Sequence, residues 1–309
     1  MKIHVPLTVP FAHKGEYIDN FRLATKKTGR LMLFAGDQKI EHLNDDFCGP
    51  KIHADDNHPE HLFRIAAKSD VGVFAAQLGL IATYGAHYRH TPYLVKMNSK
   101  TDLVPTELAD PDSRLLSTIE QVIQFKKHSK LKIVGIGYTI YPGSLYEGRM
   151  LSEAAQLITA AHEHGLLAVI WMYPRGRAVK SEKDAHLIAG CAGIAASLGA
   201  DFVKLNYPKT ANKNKLEEII QAAGRTGVVF SGGSSTEPLD FLKTLESQIA
   251  VGARGNATGR NIHQYGTDEA IRMANAIAAV SLKGLSAEEA HNIFNGQRKP
   301  RFNLNLKLK

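Results

Sequence analysis

The chain has 309 residues, with 38 lysines and arginines against 30 aspartates and glutamates, so its formal net charge is +8. A hydrophobic fraction of 44% supplies enough apolar surface for a sizeable core and excludes a disordered or fibrous chain. No apolar run approaches the roughly 20 residues that span a bilayer, and the N-terminus lacks a signal-peptide pattern, so we expect a cytoplasmic protein. Cys48 and Cys191 form no CxxC pair, which excludes a disulfide framework and a zinc ribbon.

The first 30 residues are predicted to be an N-terminal extension with a short helix near residues 18–26. Eight runs of β-branched and aliphatic residues follow, and they alternate with longer segments that carry apolar residues at helical spacing. The predicted strands cover residues 31–35, 71–75, 93–97, 133–138, 167–171, 202–205, 228–231 and 251–255. The clearest predicted helices cover residues 152–164, 184–198, 215–223, 238–245 and 268–282.

This alternation predicts an α/β fold. Strand–helix–strand connections of this length require parallel strands, and eight such units over about 250 residues match a (β/α)8 TIM barrel. We therefore predict a single barrel over residues 31–284, followed by a basic C-terminal tail at residues 285–309. A doubly wound open sheet is the structural alternative, but no GxGxxG motif follows the first strand.

Polar residues follow the predicted strands where a barrel carries its catalytic groups, at the carboxyl ends. Asp37 follows the first strand, Lys96 lies on the third, Tyr173 and Arg175 follow the fifth, and Lys204 lies on the sixth. Because residues two apart on a strand face the same side, we expect Asp37, Tyr173 and Lys204 to converge at one mouth.

A lysine on an apolar strand can be a nucleophile, because burial and a nearby cation lower its pKa and leave a neutral amine. Such an amine attacks a carbonyl and forms a Schiff base. Lys204 fits this chemistry, with Lys96 as the neighbouring cation or the rival nucleophile. Carbon chemistry on an imine also needs a proton shuttle, for which Tyr173 and Asp37 are candidates. The structural alternative is a lysine that extends from a strand end to solvent.

Glycine-rich loops follow the seventh and eighth strands. SGGSST begins with Ser231, Gly232 and Gly233, and GNATGRN contains Gly259 and Arg260. Glycines at these places let backbone amides approach an anion, and an arginine adds a charge-assisted contact. Together the two loops predict a phosphate site, although a tight turn would explain either loop alone.

Two other sets of residues raise the alternatives of a metal site and of nucleic-acid binding. The segment HADDNHPEH, residues 53–61, offers metal-ligand types but lacks HxxxH or HExxH spacing, so we interpret it as a solvated polar loop and predict no metal site. Basic segments such as LATKKTGR are scattered and poor in interleaved aromatic residues, which favours a solvated surface over nucleic-acid binding.

Seven segments resemble the archaeal-type class I fructose-1,6-bisphosphate aldolases, which also occur in bacteria and group with the DeoC and LacD aldolases. In order, they are AGDQKIEH, VKMNSKT, GYTIYPGS, VIWMYPRG, GADFVKLNY, SGGS and TGRNIHQ. GYTIYPGS and MYPRG are specific strings, whereas SGGS alone is not. The resemblance covers most of the chain, about residues 31–264.

The resemblance implies a role for each matching residue. Lys204 would be the Schiff-base lysine, and Tyr173 the general acid/base that moves the proton on the dihydroxyacetone-phosphate imine. Asp37 would assist carbinolamine formation and orient the substrate hydroxyls, and Trp171 would line the site. Arg175 is a candidate for the C6 phosphate of the substrate. The implied holders of the C1 phosphate are Gly232, Gly233, Gly259 and Arg260, and Ser231 is a further candidate for binding the substrate.

The resemblance further implies reversible cleavage of fructose 1,6-bisphosphate without a metal or cofactor, because the protonated imine is the electron sink. It also implies a homo-oligomer. The chain departs from the family where DHG or DQG is replaced by Asp37-Gln38-Lys39 and where residues 44–59 are inserted, which leaves the aldehyde partner open. The alternatives are a related lysine-dependent aldolase or transaldolase, such as aminodideoxyheptulosonate synthase, or a non-catalytic binder of sugar phosphates or nucleic acid.

Overall fold

The barrel of this protein is seen in a computed structural model that describes residues 3–208, 210 and 212–298. Eight parallel strands close into a ring in which each pairs with its neighbours in chain order and the last pairs with the first. The predicted (β/α)8 barrel is confirmed, and the open sheet is excluded. The barrel strands are β1 (Leu31–Ala35), β2 (Val73–Gln77), β3 (Tyr93–Lys96), β4 (Ile133–Ile140), β5 (Leu167–Met172), β6 (Phe202–Leu205), β7 (Gly227–Ser231) and β8 (Gly255–Thr258).

Helices surround the barrel and cover its ends. None of those in the described residues is long and apolar enough to cross a bilayer. A small antiparallel ribbon, Asn98–Ser99 with Arg114–Leu115, follows β3. The α-helices are α1 (Lys14–Ala24), α2 (Gln38–Glu41), α3 (Glu60–Lys68), α4 (Leu78–Tyr84), α5 (Ile119–Ser129), α6 (Glu147–Glu163), α7 (Ala185–Leu198), α8 (Lys213–Ala223), α9 (Pro238–Ala250), α10 (Arg260–His263), α11 (Thr267–Lys283) and α12 (Ala287–Phe294).

Alternation along the strands divides the core into two layers. Leu33 and Trp171 belong to the cluster that fills the barrel, whereas Phe34 and Ile170 belong to the larger cluster between strands and helices. Strands buried on both faces explain the continuous apolar runs of the sequence. The same alternation turns residues beyond the strand ends toward the mouth, as the sequence predicts for Asp37.

The prediction for the eighth strand, residues 251–255, is wrong except for Gly255, because the strand begins at Gly255 and the first residues of the predicted segment close α9. The amide of Gly252 donates to the carbonyl of Ile249 at 3.1 Å, and Gly252 has a φ of 107° that favours glycine. The real strand, β8, contains Asn256 and Thr258, which satisfy each other inside the protein through a 2.6 Å hydrogen bond. Buried polar residues in the strand hid it from a search for apolar runs.

The N-terminal extension closes the bottom of the barrel. Its helix α1 begins before the predicted residue 18, and Tyr17 packs with the residues that fill the barrel. The Tyr17 hydroxyl donates to Asp201, and His162 Nε2 lies 3.1 Å from the same carboxylate. Residues predicted as an extension therefore contribute to the core.

The segment predicted as a polar tail differs from that expectation in its first part. Ser286 caps α12 in a capping box with Glu289, and the helix buries Ile293 and Phe294. A capping box before apolar residues at helical spacing is a sequence signal for a helix. Residues 299–309 of the predicted tail lie outside the described residues.

Candidate active site

A cavity of about 120 Å³ opens at the carboxyl ends of the strands. It brings most of the predicted site residues together, and Lys96 is not among those that line it. The predicted residues at its wall are Asp37, Trp171, Tyr173, Arg175, Lys204, Ser231, Gly232, Gly233, Gly259 and Arg260.

Lys204 lies on β6, directly beside Trp171 of β5 in the sheet register. Its side chain is buried, and Nζ lies 5.1 Å from the centroid of the Trp171 ring and 6.0 Å from that of Tyr173. Burial lowers the pKa of Lys204, and Arg260 lowers it further, while Asp37 opposes the shift. Nζ has no hydrogen-bond partner among the described residues, so this amine is available to a substrate.

Lys96, the rival lysine, is held differently. It is also buried, and Nζ lies 5.5 Å from the centroid of the Trp171 ring. Burial lowers the pKa of Lys96 to about 8. The charge of Asp37 opposes this fall, and the charge of Lys204 adds to it. The amine donates to the carbonyl of Asn98 at 2.7 Å and to its Oδ1 at 3.1 Å. A low pKa alone would favour Lys96 as the nucleophile, but its amine is engaged with Asn98 and that of Lys204 is free.

Tyr173 and Asp37 provide a proton donor and a proton acceptor. Burial raises the pKa of Tyr173 well above its ordinary value, and the charges of Asp37 and Glu41 raise it further, so Tyr173 stays protonated. Asp37 is buried, and its Oδ1 has no hydrogen-bond partner in the described part of the chain. Its backbone carbonyl is fixed by Gln77 Nε2 at 2.8 Å. A buried carboxylate oxygen without a partner is expected to accept a hydrogen bond from a ligand.

The glycine loops after β7 and β8 lie on adjacent strands and are tied together by Asn261. Its Nδ2 donates to the carbonyls of Gly232 and Ser234, both at 3.0 Å, and its Oδ1 accepts from the amide of Thr236 at 3.0 Å. Gly233 has a φ of 69° and open space where a side chain would be. The loops therefore present a fixed backbone surface to the cavity. A side chain at Gly233 would occupy the open space in front of that surface.

The two arginines of the cavity differ in whether their guanidinium groups already have hydrogen-bond partners. Arg260 approaches Asp46 at 3.6 Å, and its buried Nε has no hydrogen-bond partner among the described residues. Arg175, by contrast, donates from Nε to Glu182 Oε1 at 3.0 Å and from Nη2 to Oε2 at 3.5 Å. Its guanidinium also lies 5.6 Å from the centroid of the Tyr141 ring. Arg260 has the more available donor.

Residues 31–265 match the family described as DeoC/LacD family aldolase. The chain belongs to the DeoC/LacD aldolases. A Methanocaldococcus jannaschii protein named fructose-bisphosphate aldolase/6-deoxy-5-ketofructose 1-phosphate synthase is 60% identical to this aldolase over 299 residues, which is 96% of each chain.

Solved structures of aldolases are also similar to this chain. A fructose-bisphosphate aldolase from Slackia heliotrinireducens is 51% identical, with a TM-score of 0.94 over 96% of this aldolase and 95% of that chain. An archaeal fructose-1,6-bisphosphate aldolase, whose catalytic lysine is covalently bound to the carbinolamine intermediate of its substrate, is 31% identical. Its TM-score is 0.75, over 86% of this aldolase and 99% of that chain.

The cavity of this aldolase also contains residues that the sequence reasoning missed. Gln38 and Glu41 line it from α2, which directly follows Asp37, and His42 lines it just after the helix. Glu41 Oε1 accepts a 2.5 Å hydrogen bond from the hydroxyl of Tyr141. Residues four apart on a helix share a face, so the spacing of Asp37 and Glu41 was the available signal.

The interpretation of residues 53–61 as a solvated loop is wrong for its buried members. His263 Nδ1 lies 2.7 Å from Asp56 Oδ2, and His61 Nε2 lies 2.9 Å from the carbonyl of His263. Lys39 Nζ donates to the carbonyl of Asn57 at 3.2 Å. These contacts fix the inserted segment to α10 and α2, and Lys39 serves this packing.

Proposed function

We propose that this aldolase is a class I fructose-bisphosphate aldolase, which reversibly cleaves fructose 1,6-bisphosphate to dihydroxyacetone phosphate and glyceraldehyde 3-phosphate through a Schiff base on Lys204. One observation carries the proposal. The buried amine of Lys204 has no hydrogen-bond partner among the described residues and shares a cavity with Asp37, Tyr173 and two glycine loops.

The imine would form in two steps. Lys204 Nζ attacks the C2 ketone of the substrate, and the carbinolamine then loses water. Each step needs a proton to move beside the nitrogen, and the free Oδ1 of Asp37 is suited to accept and return it. The pKa of Lys204, lowered by burial, favours the neutral amine that the first step requires.

Cleavage would use the iminium as its electron sink. When the bond between C3 and C4 breaks, its electron pair forms the enamine, and the aldehyde half departs. C3 is then protonated before hydrolysis releases dihydroxyacetone phosphate. Tyr173 is suited to give that proton, because its raised pKa keeps it protonated and its ring lies 6.0 Å from Lys204 Nζ.

The C1 phosphate would bind between the loops after β7 and β8. Gly233 leaves space for the anion, and the Nε of Arg260 is an available charged donor. Charge-assisted hydrogen bonds of this kind are roughly twice as strong as neutral ones. Ser231, Gly232 and Gly259 complete the same wall of the cavity.

A second candidate reaction shares this ketose half. In 6-deoxy-5-ketofructose 1-phosphate, which appears in the name of the Methanocaldococcus jannaschii relative, C5 is a ketone and C6 a methyl group. Cleavage between C3 and C4 then yields dihydroxyacetone phosphate and 2-oxopropanal. The pairing of Arg175 with Glu182 favours this candidate, because the arginine proposed for the C6 phosphate is already neutralised by a carboxylate.

Borohydride trapping tests the shared chemistry. Incubation with dihydroxyacetone phosphate and borohydride should give a stable adduct on the Lys204 peptide, and a Lys96→Arg variant should retain it. An adduct on Lys96 instead would overturn the assignment. Aldol synthesis measured with glyceraldehyde 3-phosphate and with 2-oxopropanal would then separate the two reactions.

We also propose that the protein acts in the cytoplasm as a homo-oligomer, in the sugar-phosphate reactions of glycolysis or gluconeogenesis. The aldolase names of its relatives support the metabolic part of this proposal. Sedimentation velocity of the purified chain would test the oligomer, and a single species at the 33.8 kDa mass of one chain would contradict it.

A further inference from the structure

Glu41 is a second carboxylate at the mouth, and the mechanism above does not use it. It ends α2 one helical turn after Asp37 and lines the same cavity. Its backbone carbonyl accepts from the amide of Asp102 at 2.8 Å, which fixes the end of the helix. Its negative charge opposes the fall in the pKa of Lys204. Glu41 is therefore close enough to the reaction centre to influence it.

Tyr141 holds the Glu41 carboxylate in one orientation. The Tyr141 side chain is fully buried, and its hydroxyl donates to Glu41 Oε1 at 2.5 Å. Burial raises the pKa of Tyr141 well above its ordinary value, and Glu41 raises it further, so the proton stays on the tyrosine. The second oxygen, Oε2, has no hydrogen-bond partner in the described residues and remains free to accept a proton.

The order of the strands shows which half of a substrate Glu41 would meet. Lys204 on β6 and the glycine loops after β7 and β8 would hold C2 and the C1 phosphate, so C4 to C6 must extend away from those loops. The opposite side of β6 is formed by the ends of β5 and β4, where Arg175 and Tyr141 lie. Glu41 reaches from α2 to Tyr141, and this contact holds its carboxylate on the side of the aldehyde half.

The reaction needs a base at that place. Cleavage removes the proton of the C4 hydroxyl as C4 becomes a carbonyl, and Tyr173 cannot accept it while it is protonated. Asp37 is the carboxylate suited to the carbinolamine, and its backbone is tied to Gln77 on β2.

We infer that Glu41, held by Tyr141, is the general base for the C4 hydroxyl, an inference that rests on the proposed function. The C4 hydroxyl proton passes to Glu41 Oε2, and its O–H electron pair forms the C4 carbonyl. The C3–C4 bond pair forms the enamine, and the iminium nitrogen becomes neutral. In aldol synthesis, protonated Glu41 returns the proton to the new C4 oxygen. Glu41 is thus a catalytic residue, and Tyr141 is a positioning residue.

A Glu41→Gln variant tests this assignment because only some steps involve C4. We expect kcat for cleavage of fructose 1,6-bisphosphate, or of 6-deoxy-5-ketofructose 1-phosphate if that is the substrate, to fall about 100-fold or more, the scale of general base catalysis. Borohydride trapping with dihydroxyacetone phosphate, and solvent exchange of its C3 proton, should stay within about threefold of wild type, because neither involves C4.

Tyr141→Phe is the matched variant, because it keeps the carboxylate and removes only its hydrogen bond. We expect kcat for cleavage to fall about tenfold, the scale of one hydrogen bond of about 1.4 kcal/mol, with KM and C3 exchange unchanged. Unchanged cleavage in Glu41→Gln would overturn the inference. Equal losses of cleavage, trapping and exchange would also overturn it, since they would indicate a structural role. Failure of the wild type to form a Lys204 adduct would instead contradict the proposed function.

Discussion

The pairing of Arg175 with Glu182 makes the choice of aldehyde open to a direct test. We expect Glu182→Gln to improve the use of glyceraldehyde 3-phosphate in aldol synthesis and to leave the use of 2-oxopropanal unchanged. Only the first aldehyde carries a phosphate that a released Arg175 guanidinium would bind. The substitution keeps the size of the side chain and removes its charge.

The size of the effect follows from the exposure of the pair. The side chains of Arg175 and Glu182 are 27% and 42% exposed, so solvent screens much of their attraction. Pairs of this kind contribute up to about 1 kcal/mol, and releasing the arginine should therefore lower KM for glyceraldehyde 3-phosphate by about two- to fivefold.

The assay is the initial rate of aldol synthesis from dihydroxyacetone phosphate at a series of concentrations of each aldehyde. Glu163→Gln is the control, because it removes one exposed glutamate charge at the end of α6, near the opposite end of the barrel. Equal changes in KM for both aldehydes, or no change for either, would refute the assignment of Arg175 to the C6 phosphate.

Two further predictions concern the phosphate loop and the buried rival lysine. A Cβ on Gly259 would overlap the side-chain oxygen of Gln38 and lie 2.9 Å from the carbonyl oxygen of Ala35. The Gly259→Ala substitution should therefore displace the phosphate loop and raise KM for dihydroxyacetone phosphate about tenfold or more. An unchanged KM would contradict this prediction. Burial lowers the pKa of Lys96 to about 8, whereas it returns to about 10.4 on unfolding, so the unfolded state binds more protons between these values. The free energy of unfolding of the wild type should therefore rise relative to that of Lys96→Met by about 1–3 kcal/mol between pH 8 and pH 10, measured by urea denaturation, and a constant difference would contradict the shift.

The barrel was predictable because its strands are buried on both faces and therefore continuously apolar. The carboxyl-end rule then placed Lys204, Tyr173 and Asp37 at one mouth, and all three line the cavity found there. The position of β8 was not predicted, because Asn256 and Thr258 are buried polar residues that hydrogen-bond to each other. Hydrophobic periodicity does not detect such a pair. A pattern of apolar runs finds a strand only where the core is apolar.

Glu41 and the inserted segment escaped for a different reason. The orientation of Glu41 depends on Tyr141, which lies 100 residues further along the chain. Asp56 is buried through His263, which lies 207 residues away. Local sequence gives the residue types of such clusters but not their partners, so a carboxylate one turn after Asp37 and a histidine-rich insert both have the pattern of ordinary surface segments.

The two halves of the proposed substrate would contact parts of the barrel that differ in how well they tolerate substitutions. The ketose half would face strand ends and glycine loops. There, an added Cβ on Gly259 would meet the backbone, and Asn261 ties the two loops together. The aldehyde half would face the pair of Arg175 and Glu182, whose side chains are partly exposed. If Lys204 carries the imine as proposed, that chemistry would persist while the aldehyde changes, because the contacts proposed to select the aldehyde lie on the side of β4 and β5.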